Sequence, residues 1–479
     1  MSESKRFLEN LKTVILVVLF VTTILLLYLL WSGGNRANLD ISELLPFIGG
    51  KESTLQCSDV LVGSSVAWGE GDGSFQYRTS NMPGHQQYFI DQFKALYDGT
   101  VLSYSVTEDE FFQALRQSKS SILMWDVNIP FEEFCQFNGI TAAGGEGIAY
   151  ISSLSISAAA SDSVIVHDGI NNLYYRLACE GASISPYPGY YPAEGVSQYY
   201  EYNTIYYPAD IVLGSSSGAL LPIMESSSLK PCRYESEAAE DSEELGISMA
   251  EAVFGDTFDF VRRITDDFGT VTYMYGYGQK TLTANNDGSF EYKAETSGES
   301  AGYFGDLKTA LDFVSSCGGW DSDGVEEISY RLVDASWTGN GRAIEYTFSF
   351  APFIRDHQVH SEGKYPIIVG VSSGEVSYYY RNAFSLKAFA EGDGGPVSDA
   401  ANVIASNASH MYKVMNDDAL SPNTDEAFAY VANAVVSMRK GYYRYDSDNS
   451  IVPCWTIQMD DGTRFFFDLY EGVPLGFAR

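Results

Sequence analysis

Basic residues are scarce in this chain of 479 residues: 29 Lys and Arg stand against 63 Asp and Glu, a formal net charge of −34. Nucleic acids and anionic bilayer surfaces are bound through clustered cations that displace counterions, so a chain this acidic is unsuited to either. A solvated surface that keeps the protein dissolved accounts for the charge more simply than a specific acidic site. Cysteine is sparse as well. The six, Cys57, Cys135, Cys179, Cys232, Cys317 and Cys454, contain no C-x-x-C pair, which argues against a zinc ribbon and a thioredoxin-type redox site. Disulfides and small buried thiols both fit their spacing.

Charge is missing altogether between Lys12 and Arg36. As a helix rising about 1.5 Å per residue, residues 13–31 reach the roughly 30 Å of a bilayer's hydrocarbon core, so they are predicted to form a single transmembrane helix. Lys5, Arg6 and Lys12 precede the span and only Arg36 lies close behind it, which predicts a cytoplasmic segment 1–12 and an extracytoplasmic remainder. A cleaved signal peptide is the alternative, giving a secreted binding or structural protein. Its apolar region is usually about 7–15 residues, whereas this one is longer and ends in Tyr28, Leu29, Leu30 and Trp31, the pattern of a retained anchor. Thr22 and Thr23 are the hydroxyls deep in the span. Association inside lipid relies on close packing and interhelical hydrogen bonds, which makes these two the candidate partner-binding residues, although threonine also bonds its own helix backbone.

With 45% hydrophobic residues, the chain beyond the anchor can bury proper cores. Its pattern predicts an α+β fold with mainly antiparallel sheets, laid out as a spacer at 32–54 and about three domains: 55–180, 181–320 including a linker, and 321–479. In the first, "VLSYSVTEDEFFQALRQS" reads as a strand then a helix started by the Thr107/Glu110 capping box. "SILMWDVNI" reads as a buried strand closed by Pro130, with a short helix at 131–137. "SVIVHDGINNLYYRLAC" reads as two strands turning at Asp168 and Gly169. From Glu180 to about Glu251 the composition suggests a linker or irregular excursion, ending in "YESEAAEDSEELGISMAE" with seven acidic residues and no basic one. Farther on, residues 269–293 read as an antiparallel meander turning at 276–279 and 286–288. "AIEYTFSFAPF" alternates Ile344, Tyr346, Phe348 and Phe350 with polar residues, as a strand with one core face. Helices are expected at 303–316 and 425–440, each ahead of a set of strands, and a last hairpin turns at Asp461 and Gly462. The recurring order allows a weak internal duplication.

Motifs that carry chemistry are short and incomplete. Gly214, Ser216 and Gly218 have the spacing of a nucleophile elbow, but no convincing helix follows and no His is placed by a motif, so a serine hydrolase is a poor alternative to a flexible Ser/Gly loop. In "RDHQVHSEG", His357, His360, Asp356 and Glu362 are metal-ligand types, yet strand residues three apart face opposite ways, so a polar hairpin loop is the simpler reading. "GEGDGSF", "NNDGSF", "DSDGVEE" and "MDDGTRF" resemble calcium loops without completing the ligand pattern: with Gly324 as the invariant glycine, Gly319 falls where the first Asp belongs. Asp-Gly turns explain them better. No catalytic, cofactor or metal site is therefore expected, and the chain does not read as an enzyme.

Several stretches, taken in order, carry a family resemblance: "ENLKTVILVVLFVTTILLLYLLW", "TIYYPADIVL" at 204–213, "DDFGTVTYMYGYGQKTLTANNDGSFEY", and the terminal "GYYRYDSDNSIVPCWTIQMDDGTRFFFDLYEG". Together they resemble the YycH family, with a C-terminal half similar to the related YycI proteins. The resemblance implies a membrane-anchored accessory protein of the WalK and WalR two-component system, which controls cell-wall metabolism in monoderm bacteria. It implies as partners a sensor histidine kinase, contacted partly through the transmembrane helix, and possibly a YycI-like sister protein.

Overall fold

A computed structural model describes residues 55–479 apart from 73, 79–82, 98, 141–144, 188–196, 202–204, 208–210, 214–219, 225–228, 237–241, 321–327, 340–343, 362, 391–394, 418–422 and 448. Lys51–Arg479 cluster as one unit. The described part is mixed α/β with mainly antiparallel sheets and eight α-helices. No helix among the described residues is long and apolar enough to cross a membrane, and the predicted span 13–31 lies outside them.

The first sheet is built from β1 (Ser65–Glu70), β2 (Ser74–Arg78), β3 (Val101–Val106), β4 (Lys119–Pro130), β5 (Tyr150–Ser157), β6 (Ser163–Asp168), β7 (Leu173–Cys179) and β8 (Ser197–Glu201). After the small separate pair β9 (Ile205–Tyr207) and β10 (Ile211–Leu213), β11 (Leu220–Met224) completes it. Nine strands lie in the order β11-β8-β2-β1-β4-β5-β6-β7-β3, all antiparallel to their neighbours. The tight turn at Gly169 to Asn172 is held by Asp168, whose carboxylate accepts from the backbone N–H of Ile170 and Asn171.

Helices α1 (Cys57–Val60), α2 (Pro83–Leu96), α3 (Glu108–Arg116) and α4 (Phe131–Phe137) belong to the same region. Helix α3 starts as its sequence dictates: Thr107 Oγ1 accepts from Glu110 N at 3.2 Å, and the Glu110 carboxylate accepts from Thr107 N at 2.8 Å. Helix α4 begins directly after Pro130, which closes β4.

A second, larger sheet has fifteen strands among the described residues. It comprises β12 (Cys232–Ser236), β13 (Arg262–Thr265), β14 (Val271–Tyr275), β15 (Lys280–Ala284), β16 (Phe290–Ala294), β17 (Ser329–Thr338), β18 (Glu345–Ile354) and β19 (His357–Ser361). It continues through β20 (Ile367–Ser372), β21 (Glu375–Arg381), β22 (Phe384–Phe389), β23 (Val435–Tyr445), β24 (Ser450–Met459), β25 (Arg464–Asp468) and β26 (Pro474–Ala478). The meander over 269–293 and the terminal hairpin at Asp461 and Gly462 are present as the sequence suggests. The junction that joins the meander half to the C-terminal half is a parallel pairing of β19 with β23, Val359 opposite Tyr442 and His360 opposite Tyr443. In β18 the one-faced alternation of Tyr346 and Phe348 gives way from Ser349 onward to burial on both faces.

Helices α5 (Ser242–Phe254), α6 (Tyr303–Ser316), α7 (Ala400–Met415) and α8 (Thr424–Ala434) pack around this sheet. The inward stripe of α6, Leu307, Ala310, Leu311 and Val314, is fully buried; burying each leucine stabilises the fold by roughly 1.5–3 kcal/mol. Its N-cap is Gly302, and Asp306 in the first turn ties back the segment ahead of it, accepting from Ser300 Oγ at 2.6 Å and Ala301 N at 3.1 Å.

Three expectations are corrected. The stretch read as an acidic linker contains β12, paired with both β22 and β24, and helix α5. Glu243 and Glu244 fall in the first turn of α5, where the helix dipole favours acids, while Met249, Ala250 and Phe254 are buried. The helix expected over 425–440 stops at Ala434; Val435 is already extended and opens the eleven-residue strand β23. Its β-branched Val435 and Val436 suit a strand, and pairing with β24 decides the matter. The segment read as a polar loop around the two histidines turns only at Arg355 and Asp356, both at positive φ, and then becomes β19. This is the two-residue hairpin loop whose twist matches its strands. The Asp-Gly stretches at 285–290 and 459–465 are hairpin turns, and "DSDGVEE" lies outside the described residues. All six cysteines are buried and none is in a disulfide.

Candidate functional site

Most motifs singled out in the sequence do not assemble into a site. Gly214, Ser216 and Gly218 lie outside the described residues, as do Thr22, Thr23 and Glu362. His357 and His360 fall on opposite faces of β19: the His357 ring sits 6.4 Å from that of Tyr442, whereas the His360 ring packs 4.9 Å from Phe466. Among the described residues no group of three or more His, Cys, Asp or Glu is arranged to hold a metal ion.

The parallel junction instead creates a cavity of about 410 Å³. Its walls come from distant parts of the chain: Asp126 on β4, Phe353 on β18, Gln358 and His360 on β19, Arg439 and Lys440 on β23, and Arg464 at the start of β25. Volumes of this size are typical of small-molecule sites. Strand β19 can approach β23 because position 441 is glycine: a Cβ there would lie 2.9 Å from the Gln358 carbonyl oxygen and 3.3 Å from the His360 ring.

Cations gather here in a chain that has few. Two of the lining arginines are neutralised by neighbouring acids, and Arg331, outside the lining, holds the lining Asp356. Arg439 Nη1 donates to Asp126 at 2.7 Å, tying the C-terminal sheet to the first one. Arg331 pairs with Asp356 and lies 4.3 Å from the centre of the Phe353 ring. Arg479 donates to Asp417 at 2.8 Å. Arg464 differs. It donates to the Tyr365 hydroxyl and sits 5.0 Å from the centre of that ring, and no carboxylate among the described residues lies within ion-pair distance of it. Burial raises the pKa of Asp334, on the same wall, and the charge of Arg464 offsets part of that without closing a pair.

His360 is the second exception. Only 8% of it is exposed, it lines the cavity, and its ring nitrogens have no hydrogen-bond partner among the described residues. Burial, reinforced by the charges of Arg464 and Arg439, pushes its pKa down to about 3. At neutral pH it is therefore an uncharged imidazole with one donor and one acceptor. The remaining polar lining is of amides and hydroxyls: Gln358, Gln458, Ser437, Thr456 and Ser64. Among the described lining residues none is placed as a nucleophile with its base.

Sequence reasoning noted His360 but for the wrong reason, and it missed Arg464 and Arg439. The available signal was compositional: Arg439, Lys440, Arg444 and Arg464 occur within a short C-terminal stretch of an acidic chain.

No protein-family model and no curated protein matches the chain. A solved structure does. The crystal structure of YycH from Bacillus subtilis is similar over 89% of this chain and 98% of that one, with a TM-score of 0.52 and 12% sequence identity. At that identity the likeness speaks to architecture, and it extends through both sheets. The chain therefore has the YycH fold.

Proposed function

We propose that the protein is a membrane-anchored, non-enzymatic regulator of a WalK-type sensor histidine kinase that controls cell-wall metabolism. The observation that carries the reading is the YycH fold over 89% of the chain, together with the family resemblance of its sequence. Residues 13–31 anchor the protein, with 1–12 in the cytoplasm and the bulk outside. Contacts between membrane helices, or between outer domains, are the route by which the chain influences a kinase. Thr22 and Thr23 are the positions through which the helix packs beside a kinase helix and biases two arrangements of it. A YycI-like sister protein is a further partner.

Purification from native membranes in mild detergent tests this, beside a version whose residues 13–31 are replaced by an unrelated spanning helix. Recovery of a sensor kinase with the native protein and its loss with the swap is the expected result. Retention by both would move the contact to the outer domains. Absence from both would overturn the regulator reading. Replacing Thr22 and Thr23 with leucine is expected to change kinase output; an unchanged output would remove these two positions.

A further inference from the structure

The polar groups of the cavity at the β19–β23 junction are unevenly matched. Arg439 and Arg479 have acids beside them, and the lining Asp356 is held by Arg331 from outside the lining, whereas Arg464 has one phenolic oxygen for its five N–H donors. A guanidinium kept partly out of water without a counter-ion is costly. The nitrogens of the His360 imidazole have no protein partner among the described residues and stay open at the cavity wall. Groups left this way on the wall of a cavity of about 410 Å³ define what should fill it.

We propose that this cavity binds a small peptide-like carboxylate, with the carboxylate seated on the Arg464 guanidinium and the body held by Gln358, Gln458, Thr456 and His360. The planar fork of arginine matches a carboxylate through two parallel hydrogen bonds. Arg464, a lining cation with no carboxylate among the described residues in ion-pair contact, calls for a singly charged partner. A dianionic phosphate would leave a surplus charge against Asp126, Asp334 and Asp356, which line the same walls. Two primary amides, a hydroxyl and a neutral imidazole offer both donors and acceptors, as amide groups of a ligand require. The side chains of Val333 and Phe353 supply an apolar surface for small substituents. This site holds whether or not the chain regulates a kinase, since none of its residues belongs to the membrane segment.

Isothermal titration of the full-length protein in detergent micelles decides it, with N-acetyl-dialanine, its C-terminal amide and inorganic phosphate as the probes. The acid is expected to bind at least about tenfold more tightly than the amide, the loss of one charge-assisted pair. Arg464→Gln is expected to weaken the acid by about tenfold or more while leaving the amide unchanged, and Arg464→Lys to recover part of the difference because it keeps the charge but loses the fork. Equal binding of acid and amide overturns the proposal, as does no binding of the acid up to about 20 mM. Tighter binding of phosphate than of the acid overturns the carboxylate assignment. The acid and amide comparison needs no substitution, so it decides the matter even if Arg464→Gln fails to fold.

Discussion

Two histidines, one in each sheet, are held in opposite ways. His167 on β6 is flanked by Ser152 Oγ at 3.1 Å from Nδ1 and by Asn172 Oδ1 at 3.1 Å from Nε2, and its ring stacks 4.4 Å from Tyr174. Both nitrogens are matched within three consecutive strands and their turn, so the neutral ring is a finished part of the sheet. His360 on β19 is also neutral and more deeply buried, yet its nitrogens face a cavity and its nearest charges, Arg464 and Arg439, are cations. Burial lowers the pKa of both. What separates them is satisfaction: a polar group whose needs are met locally serves stability, while one left over at a cavity wall is available to a ligand.

The largest expected effect comes from acid. His360 has a folded-state pKa of about 3, below the usual value of about 6.5 that it regains on unfolding. Between those pH values the unfolded chain binds the proton and the folded chain does not, so stability is full above pH 6.5 and falls as the pH drops toward 3. From pH 7 to 4 this one group accounts for about 3 kcal/mol. Unfolding of the full-length protein followed across that range is expected to show a loss that His360→Gln reduces by that amount. An unchanged profile would mean that His360 is protonated or solvated in the folded state, and the contrast with His167 would collapse.

A smaller effect is expected at the residue that makes room for His360. Gly441→Ala places a methyl group against the Gln358 carbonyl and the imidazole, and overpacking of this kind costs about 2 kcal/mol. Thermal unfolding measures it. A neutral outcome would show that β19 and β23 separate easily, and that the seat of His360 is not fixed by their parallel pairing.

How far the sequence foretold these two regions follows from where their determinants lie. The setting of His167 is written locally: Ser152, Asp168 and Asn172 belong to consecutive strands and one turn, and that hairpin was legible from alternation and Asp168-Gly169. Helix α6 was legible for the same reason, its buried positions falling at helical spacing, and so was α3 through Thr107 and Glu110. The setting of His360 is assembled from Asp126, Gln358, Arg439 and Arg464. These come together through a parallel pairing between β19 and β23, which leaves no local mark. Strand β23 was itself hidden, because Val431, Ala432, Ala434 and Val435 continue an apolar run from helix into strand and only pairing with β24 ends the helix. Acidic residues masked α5 in the same manner, since charge spoke of solvent while Met249, Ala250 and Phe254 spoke of a core.

On the satisfied side of the comparison, His167→Phe keeps the ring stacked on Tyr174 and removes two hydrogen bonds, one of them to the exposed Asn172. Ser152 Oγ retains the His167 carbonyl oxygen as an acceptor at 3.1 Å, so no buried group is stranded. The expected cost is about 1 kcal/mol by chemical denaturation, with no effect on binding of N-acetyl-dialanine. A loss of binding would join two regions that the structure keeps in different sheets.

The smallest expected effect on stability is at Arg464, the residue on which the proposed ligand depends. Replacement by glutamine removes one bond to the Tyr365 hydroxyl and a cation resting over that ring. Those contacts contribute about 0.5–1 kcal/mol, and the relief of an uncompensated charge offsets part of it. Stability measured without ligand is therefore expected to stay within about 0.5 kcal/mol of the unmodified protein. The same substitution, unlike His167→Phe, is expected to abolish stabilisation by N-acetyl-dialanine, because a ligand that binds only the folded chain raises its stability by mass action. A cost as large as that of Gly441→Ala would make Arg464 a structural cation whose partner is the fold itself, and the distinction between the two histidine environments would then be one of packing alone.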